Sequence, residues 1–156
     1  MLNAAHWHLI INHVPVILFP AGLALFIYAL ITDDDKIRRL TMGIFVLVAL
    51  ATVPVYLSGL KADHFLEGVP GVYDSAVDIH RDVALKSMIV AEILGAFCLV
   101  VLLTYRRATP LPKWTQGVAL AIIFIVAGMM TYTSYLGGHI RHPETLLNWK
   151  PPHSSG

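Results

Sequence analysis

The chain reads as an all-α integral-membrane protein, an antiparallel four-helix bundle with both termini on the outer, periplasmic face. Three observations predict this. Of 156 residues, 56% are hydrophobic and only 13% are charged, a composition of the membrane class rather than of a soluble domain. Four apolar runs, at about 9–31, 40–60, 83–105 and 114–136, are each long enough to cross about 30 Å of hydrocarbon, which takes roughly 20 helical residues. Six of the eleven Lys and Arg residues fall in two short connections, those after the first and third runs, and positive-inside logic makes these cytoplasmic. Helix is the conformation that fits, because lipid offers backbone groups no partner and the period-2 pattern of a barrel is absent.

The first run carries Pro15 and Pro20, which remove backbone hydrogen bonds and should bend the helix. It is too long for a signal peptide and lacks the basic flank and small-residue cleavage site, so it is expected to stay as a helix. The connection after it holds Lys36, Arg38 and Arg39, preceded by Asp33, Asp34 and Asp35, whose structural role is to cap the positive end of the second helix. The second run contains Pro54. An outer connection from Lys61 to Asp82 follows, with helix breakers Gly68, Pro70 and Gly71 and with Phe65 and Tyr73 to pack it down as a lid.

The third run holds the lone Cys98, so no disulfide forms within the chain, and no Cys-x-x-Cys-His is present for covalent haem attachment. Arg106, Arg107 and Lys113 mark the second cytoplasmic connection. The fourth run is closed by Gly137-Gly138, residues that tolerate the conformation ending a helix. The whole of 1–156 reads as one membrane domain without an internal repeat. In an up-down-up-down bundle the first and third helices are diagonal, facing each other across the core.

All eight histidines, His6, His8, His13, His64, His80, His139, His142 and His153, fall at or beyond the outer ends of the runs. Imidazole is the commonest metal ligand and a proton carrier near neutral pH. Histidines at matched depth on facing membrane helices fit b-type haem, with two axial nitrogens, an apolar slot for the porphyrin and propionates toward water. His13 with His80 is the preferred pair, because it joins the expected diagonal helices at nearly one level. His8, His64 and His139 stand in reserve, enough for a second haem. His8 and His13 point about 140° apart on an ideal helix and so do not share a coordination position. Arg81, with Lys61, Lys86 and Arg141, could meet propionates or simply snorkel to water. Ser58, Gly59 and Gly138 are small enough to admit a flat ring or to pack helices.

Glu92 lies twelve positions beyond His80, about 18 Å along a helix. A carboxyl near mid-membrane is costly unless neutral or paired, so it is a candidate proton or quinone group. Its structural alternative is a protonated carboxyl bonded to Ser87, Thr52 or the backbone.

The stretch His8-Leu-Ile-Ile-Asn-His13-Val-Pro15 resembles the opening His-x4-His-x-Pro of the small bacterial membrane proteins grouped as domain of unknown function 2231. Gly59 and Asp63 match the Gly and Asp after that family's second helix, His80 its third-helix histidine, and Ser134-Tyr135-Leu136-Gly137-Gly138 its closing Gly-Tyr-Leu-Gly-Gly. The resemblance covers residues 8–142 and implies a core set of His8, His13 and His80. Leu9 and Val14 depart from its usual Pro and Phe, and His64 and His139 are additions.

The functional expectation is a b-type cytochrome-like subunit of the bacterial inner membrane, an electron-transfer subunit rather than a stand-alone enzyme. It would pass electrons between quinol and a periplasmic redox partner, within a respiratory-chain complex. The alternatives are a periplasm-facing Cu, Zn or Fe site, for which Asp63, Asp78, Asp82 or Glu144 would add ligands, and a non-catalytic membrane subunit. The bilayer is the first expected partner; nucleic acid is not one.

Overall fold

The computed structural model describes residues 4–63, 72, 74–105 and 109–140, all helix and short connections without a strand among them. The helices are α1 (Ala4–Ile11), α2 (His13–Ile31), α3 (Asp35–Asp63), α4 (Asp74–Thr104) and α5 (Lys113–His139). Helices α1 and α2 form one apolar rod, His6–Ile31 of 26 residues. Asn12 keeps helical dihedrals, φ −65° and ψ −24°. The interruption there follows from Pro15, which has no N–H to give the Ile11 carbonyl. The neighbouring bond from Val16 N to Asn12 O stretches to 3.5 Å.

This rod, α3, α4 and α5 are four helices long and apolar enough to cross a membrane. Their polar turns continue the helix past the apolar runs, so α4 starts at Asp74 rather than near Val83. The outer connection therefore shrinks to residues 64–73, and the expected lid residues Phe65 and Tyr73 lie outside the described residues. Gly137 and Gly138 do not end α5, which runs on to His139. The site below explains why Gly137 is a glycine.

The turn before α3 goes through Asp33 at φ 52°, the sole positive-φ non-glycine among the described residues. Asp34 then caps α3: its Oδ1 accepts the N–H groups of Lys36 (2.9 Å) and Ile37 (3.0 Å). Within the Asp33–Asp35 run, Asp34 is thus the residue that fulfils the expected capping role.

Helix α2 packs on α3 and α5, and α4 packs on α3 and α5, while α2 and α4 make no contact. The four long helices therefore close a ring in which the first and third spans sit across from each other. Phe19, Phe26, Met42, Phe45, Leu94 and Ile123 are fully buried at its centre. Phe19 and Phe45 stack with centroids 5.8 Å apart. Gly22 makes this contact, since a Cβ there would lie 2.6 Å from the Phe45 ring; at Gly95 it would lie 2.5 Å from Ala49 Cβ. Small residues draw the helices together where hydrocarbon supplies no driving force of its own. Only 28–33% of each apolar span is buried, so most of the apolar surface faces outward, as a lipid-exposed helix requires.

One end of the ring is tied by arginine. Arg38, 6% exposed, donates from Nη1 to Gln116 Oε1 (2.8 Å) and from Nη2 to Asp33 Oδ1 (2.9 Å). Arg39 donates from Nε to Asp35 Oδ2 (2.7 Å) and from its other nitrogens to the carbonyls of Tyr105 and Thr109. Asp35 also accepts Leu111 N–H at 3.3 Å. The start of α3, the end of α4 and the start of α5 are thereby laced together.

Candidate functional site: a histidine-lined cavity

The opposite end is open. A cavity of about 360 Å³ lies there, with His8, His13, His80 and Arg81 in its wall together with apolar groups such as Met88 and Met130. Its volume falls within the range of small-molecule and cofactor sites, about 300–1,000 Å³.

His8 reaches from α1 to α3. Its Nδ1 lies 3.1 Å from the Val55 carbonyl oxygen and 3.0 Å from Ser58 Oγ. Ser58 Oγ gives its own proton to the Val55 carbonyl at 2.6 Å, so both acceptors require Nδ1 to carry a proton. The ring fits because residue 59 is glycine: a Cβ there would stand 3.1 Å from His8 Cε1.

His80 repeats this on the other half of the molecule. It reaches from α4 to α5, with Nδ1 donating to the Thr133 carbonyl at 3.1 Å. A Cβ on Gly137 would stand 3.1 Å from His80 Cε1. In both cases the glycine comes four residues after the accepting carbonyl, one helical turn along, directly under the imidazole. The two halves, 4–63 and 74–140, therefore carry one structural device twice, although no internal repeat is evident in the sequence.

The chemistry of the device is specific. A neutral imidazole that donates from Nδ1 holds its lone pair on Nε2. A backbone carbonyl on Nδ1 is the usual means of fixing a metal-ligating histidine in orientation and tautomer.

Other expected site residues are placed differently. His13 is exposed at the rim, its Nδ1 bonded at 2.7 Å to the Leu9 carbonyl of its own helix. His139 lies outside the cavity wall, donating to the Tyr135 carbonyl with its ring centroid 4.0 Å from that of Tyr135. Arg81 pairs with Asp78 at 2.7 Å and remains half-buried beside the cavity. Lys61 and Lys86 are exposed. Gly59 serves the His8 ring, whereas a Cβ on Gly138 would meet nothing within 4 Å. His64, Arg141, His142, Glu144 and His153 lie outside the described residues.

The cavity floor is polar but satisfied. Ser87 Oγ donates to the Val83 carbonyl (2.8 Å) and meets Thr133 Oγ1 at 2.9 Å, and Thr133 Oγ1 donates to the Met129 carbonyl (2.8 Å). Thr52 Oγ1 lies 2.7 Å from the Ala49 carbonyl and 3.2 Å from Glu92 Oε1. Among the described residues no three His, Cys, Asp or Glu side chains come together as a metal site.

Sequence reasoning missed Gly137 and the two orienting carbonyls. The one sequence echo, Tyr56-Leu57-Ser58-Gly59 and Tyr135-Leu136-Gly137-Gly138, pairs Gly59 with Gly138 and so falls one residue out of register with the device. Comparisons with protein-family models, curated proteins and solved structures give no match.

Proposed function

We propose that this chain is a membrane b-type cytochrome-like subunit whose haem sits in the cavity between His8 and His80. The observation that carries the reading is the duplicated imidazole setting: two half-buried rings in one cavity wall, each with Nδ1 on a carbonyl and a glycine beneath. Haem brings four nitrogens of its own, so two protein ligands suffice. A Cu, Zn or Fe site built from side chains alone needs three or more, which favours haem over that alternative.

His8 replaces His13 in the pair preferred from sequence. His13 stays at the rim and its hydrogen bond is to its own helix. His80 keeps the role assigned to it. Bound haem would supply a reversible one-electron change at iron. The Val55 and Thr133 carbonyls orient the two imidazoles and raise their basicity, Met88 and Met130 exclude water, and Arg81 offers charge to a propionate. His64 and His139 remain reserves for a second haem.

The remaining parts of the reading concern placement. The helices alternate in direction across a bacterial inner membrane, with the arginine-tied end cytoplasmic by positive-inside logic and the cavity toward the periplasm. Electrons pass between quinol and a periplasmic redox partner. The resemblance to the domain-of-unknown-function 2231 family implies a core set of His8, His13 and His80, which contains both proposed ligands and also His13.

The test is the absorption spectrum of protein purified after haem-sufficient expression, with a pyridine haemochrome assay. A Soret band is expected, lost in His8→Ala and in His80→Ala and retained in His13→Ala. Absence of the band in the unaltered protein overturns the reading and leaves the Cu, Zn or Fe site and the non-catalytic membrane subunit, which metal analysis separates.

A further inference from the structure

A groove at the arginine end is not used by the arrangement above. It opens between the end of α2 and the start of α5, holds about 690 Å³, and has Arg38 of α3 in its wall. On α5 it is lined by Lys113, Gln116, Gly117 and Leu120, positions three and four apart that share one helix face. A Cβ on Gly117 would meet nothing within 4 Å, so bare helix backbone forms part of the wall. Leu30 and Leu120 belong to the apolar spans and make the inner part of the groove hydrophobic.

The mouth carries charges of both signs. Asp33 accepts Arg38 Nη2 on Oδ1 at 2.9 Å, yet 90% of its side chain is exposed, so the carboxylate is held through one oxygen and otherwise open to water. Lys113 is exposed and has no ion-pair partner among the described residues. Pro112 gives α5 no side-chain cap, and the positive end of the helix adds to the Lys113 charge. Beside it Trp114 is 60% exposed, the placement of an aromatic residue at the level of lipid headgroups. The described residues lining the groove include two cations, Arg38 and Lys113, and two anions, Asp33 and Asp35. The wall is thus formally neutral. An anionic headgroup drawn to Lys113 would meet the Asp33 carboxylate, whereas a headgroup carrying both signs suits both lips.

We propose that this groove binds a phospholipid whose zwitterionic headgroup ends in a primary ammonium, the phosphatidylethanolamine class. The phosphate meets Lys113 and the start of α5, the ammonium meets Asp33, and an acyl chain follows Leu30 and Leu120 inward. A primary ammonium has three N–H donors for the carboxylate; a trimethylammonium has none. The site is independent of the haem reading and lies at the other end of the ring.

The experiment is native mass spectrometry of the full chain released from vesicles of phosphatidylethanolamine, phosphatidylcholine and phosphatidylglycerol in equal parts, with matched acyl chains. Phosphatidylethanolamine is expected to be retained about fivefold over each of the others, the effect of about one hydrogen bond. Asp33→Asn keeps an oxygen for Arg38 and tolerates the φ of 52° at this position, and it should abolish the preference. Lys113→Gln should lower retention of phosphatidylethanolamine by a similar factor. Lys36→Gln, an exposed cation at the same end but outside the groove, should change nothing. Equal retention of the three lipids by the unaltered protein, a preference for phosphatidylglycerol, or a preference that survives Asp33→Asn overturns the proposal.

Discussion

At the arginine end of the ring, guanidinium groups reach across to acceptors on other helices and to the segment before α5. At the histidine end, each imidazole turns onto the one helix beside it, and a cavity of about 360 Å³ is left. The first end uses its polar groups to join helices, whereas the second uses them to aim side chains. Among the described residues each end keeps one buried atom without a hydrogen-bond partner, Arg38 Nε, 3.8 Å from Asp35 Oδ1, at the first and His139 Nε2 at the second. Four apolar helices can therefore place polarity for cohesion at one end and around a cavity at the other.

The largest break in this contrast is expected from Arg39→Ala. It removes ties to Asp35, Tyr105 and Thr109 and should destabilise the fold by on the order of 3 kcal/mol, as when one partner of a largely buried charged network is lost. Unfolding in detergent measures it, and the haem spectrum of the folded fraction should be unchanged. Gly137→Ala acts at the other end. Its Cβ presses on His80, so affinity for the proposed haem should fall about 10- to 100-fold, as for other losses of ligand orientation, with little change in the stability of the protein without it. Smallest is Ser58→Ala, which leaves His8 the Val55 carbonyl and should weaken haem binding by about 1 kcal/mol, the worth of one hydrogen bond. Equal effects of Arg39→Ala and Gly137→Ala on haem affinity would abolish the division between the ends.

The spans were legible because long apolar runs admit one conformation in lipid. Their ends were less so: Asp74 to Asp82 is polar enough to resemble a loop, yet it forms the first turns of α4. Gly137-Gly138 looks like a helix stop in one dimension, but it lies within α5, where Gly137 gives room to an imidazole from another helix. The place of His80 at the cavity end of its helix was readable from its depth. That His8 and not His13 meets a carbonyl and a glycine of another helix was not, since it depends on how α1 seats against α3. Glu92 stood out by the cost of its charge, and Thr52 was already one of the partners expected for it; the choice of Thr52 over Ser87 required the register of α3 against α4. The tie made by Arg38 and Arg39 was hidden for another reason. Their basic charge already had a sufficient role in topology.

Each imidazole finds its orienting carbonyl in its own half of the chain, His8 on Val55 and His80 on Thr133. Aim is thus set locally, before the halves meet. During synthesis the first half can enter the bilayer with its ligand already turned, the second can follow, and the site comes into being only when the two dock. A cofactor gripped by one imidazole from each half would then work as a rivet. Loading would report that both halves had inserted and found each other, making cofactor occupancy a measure of completed assembly.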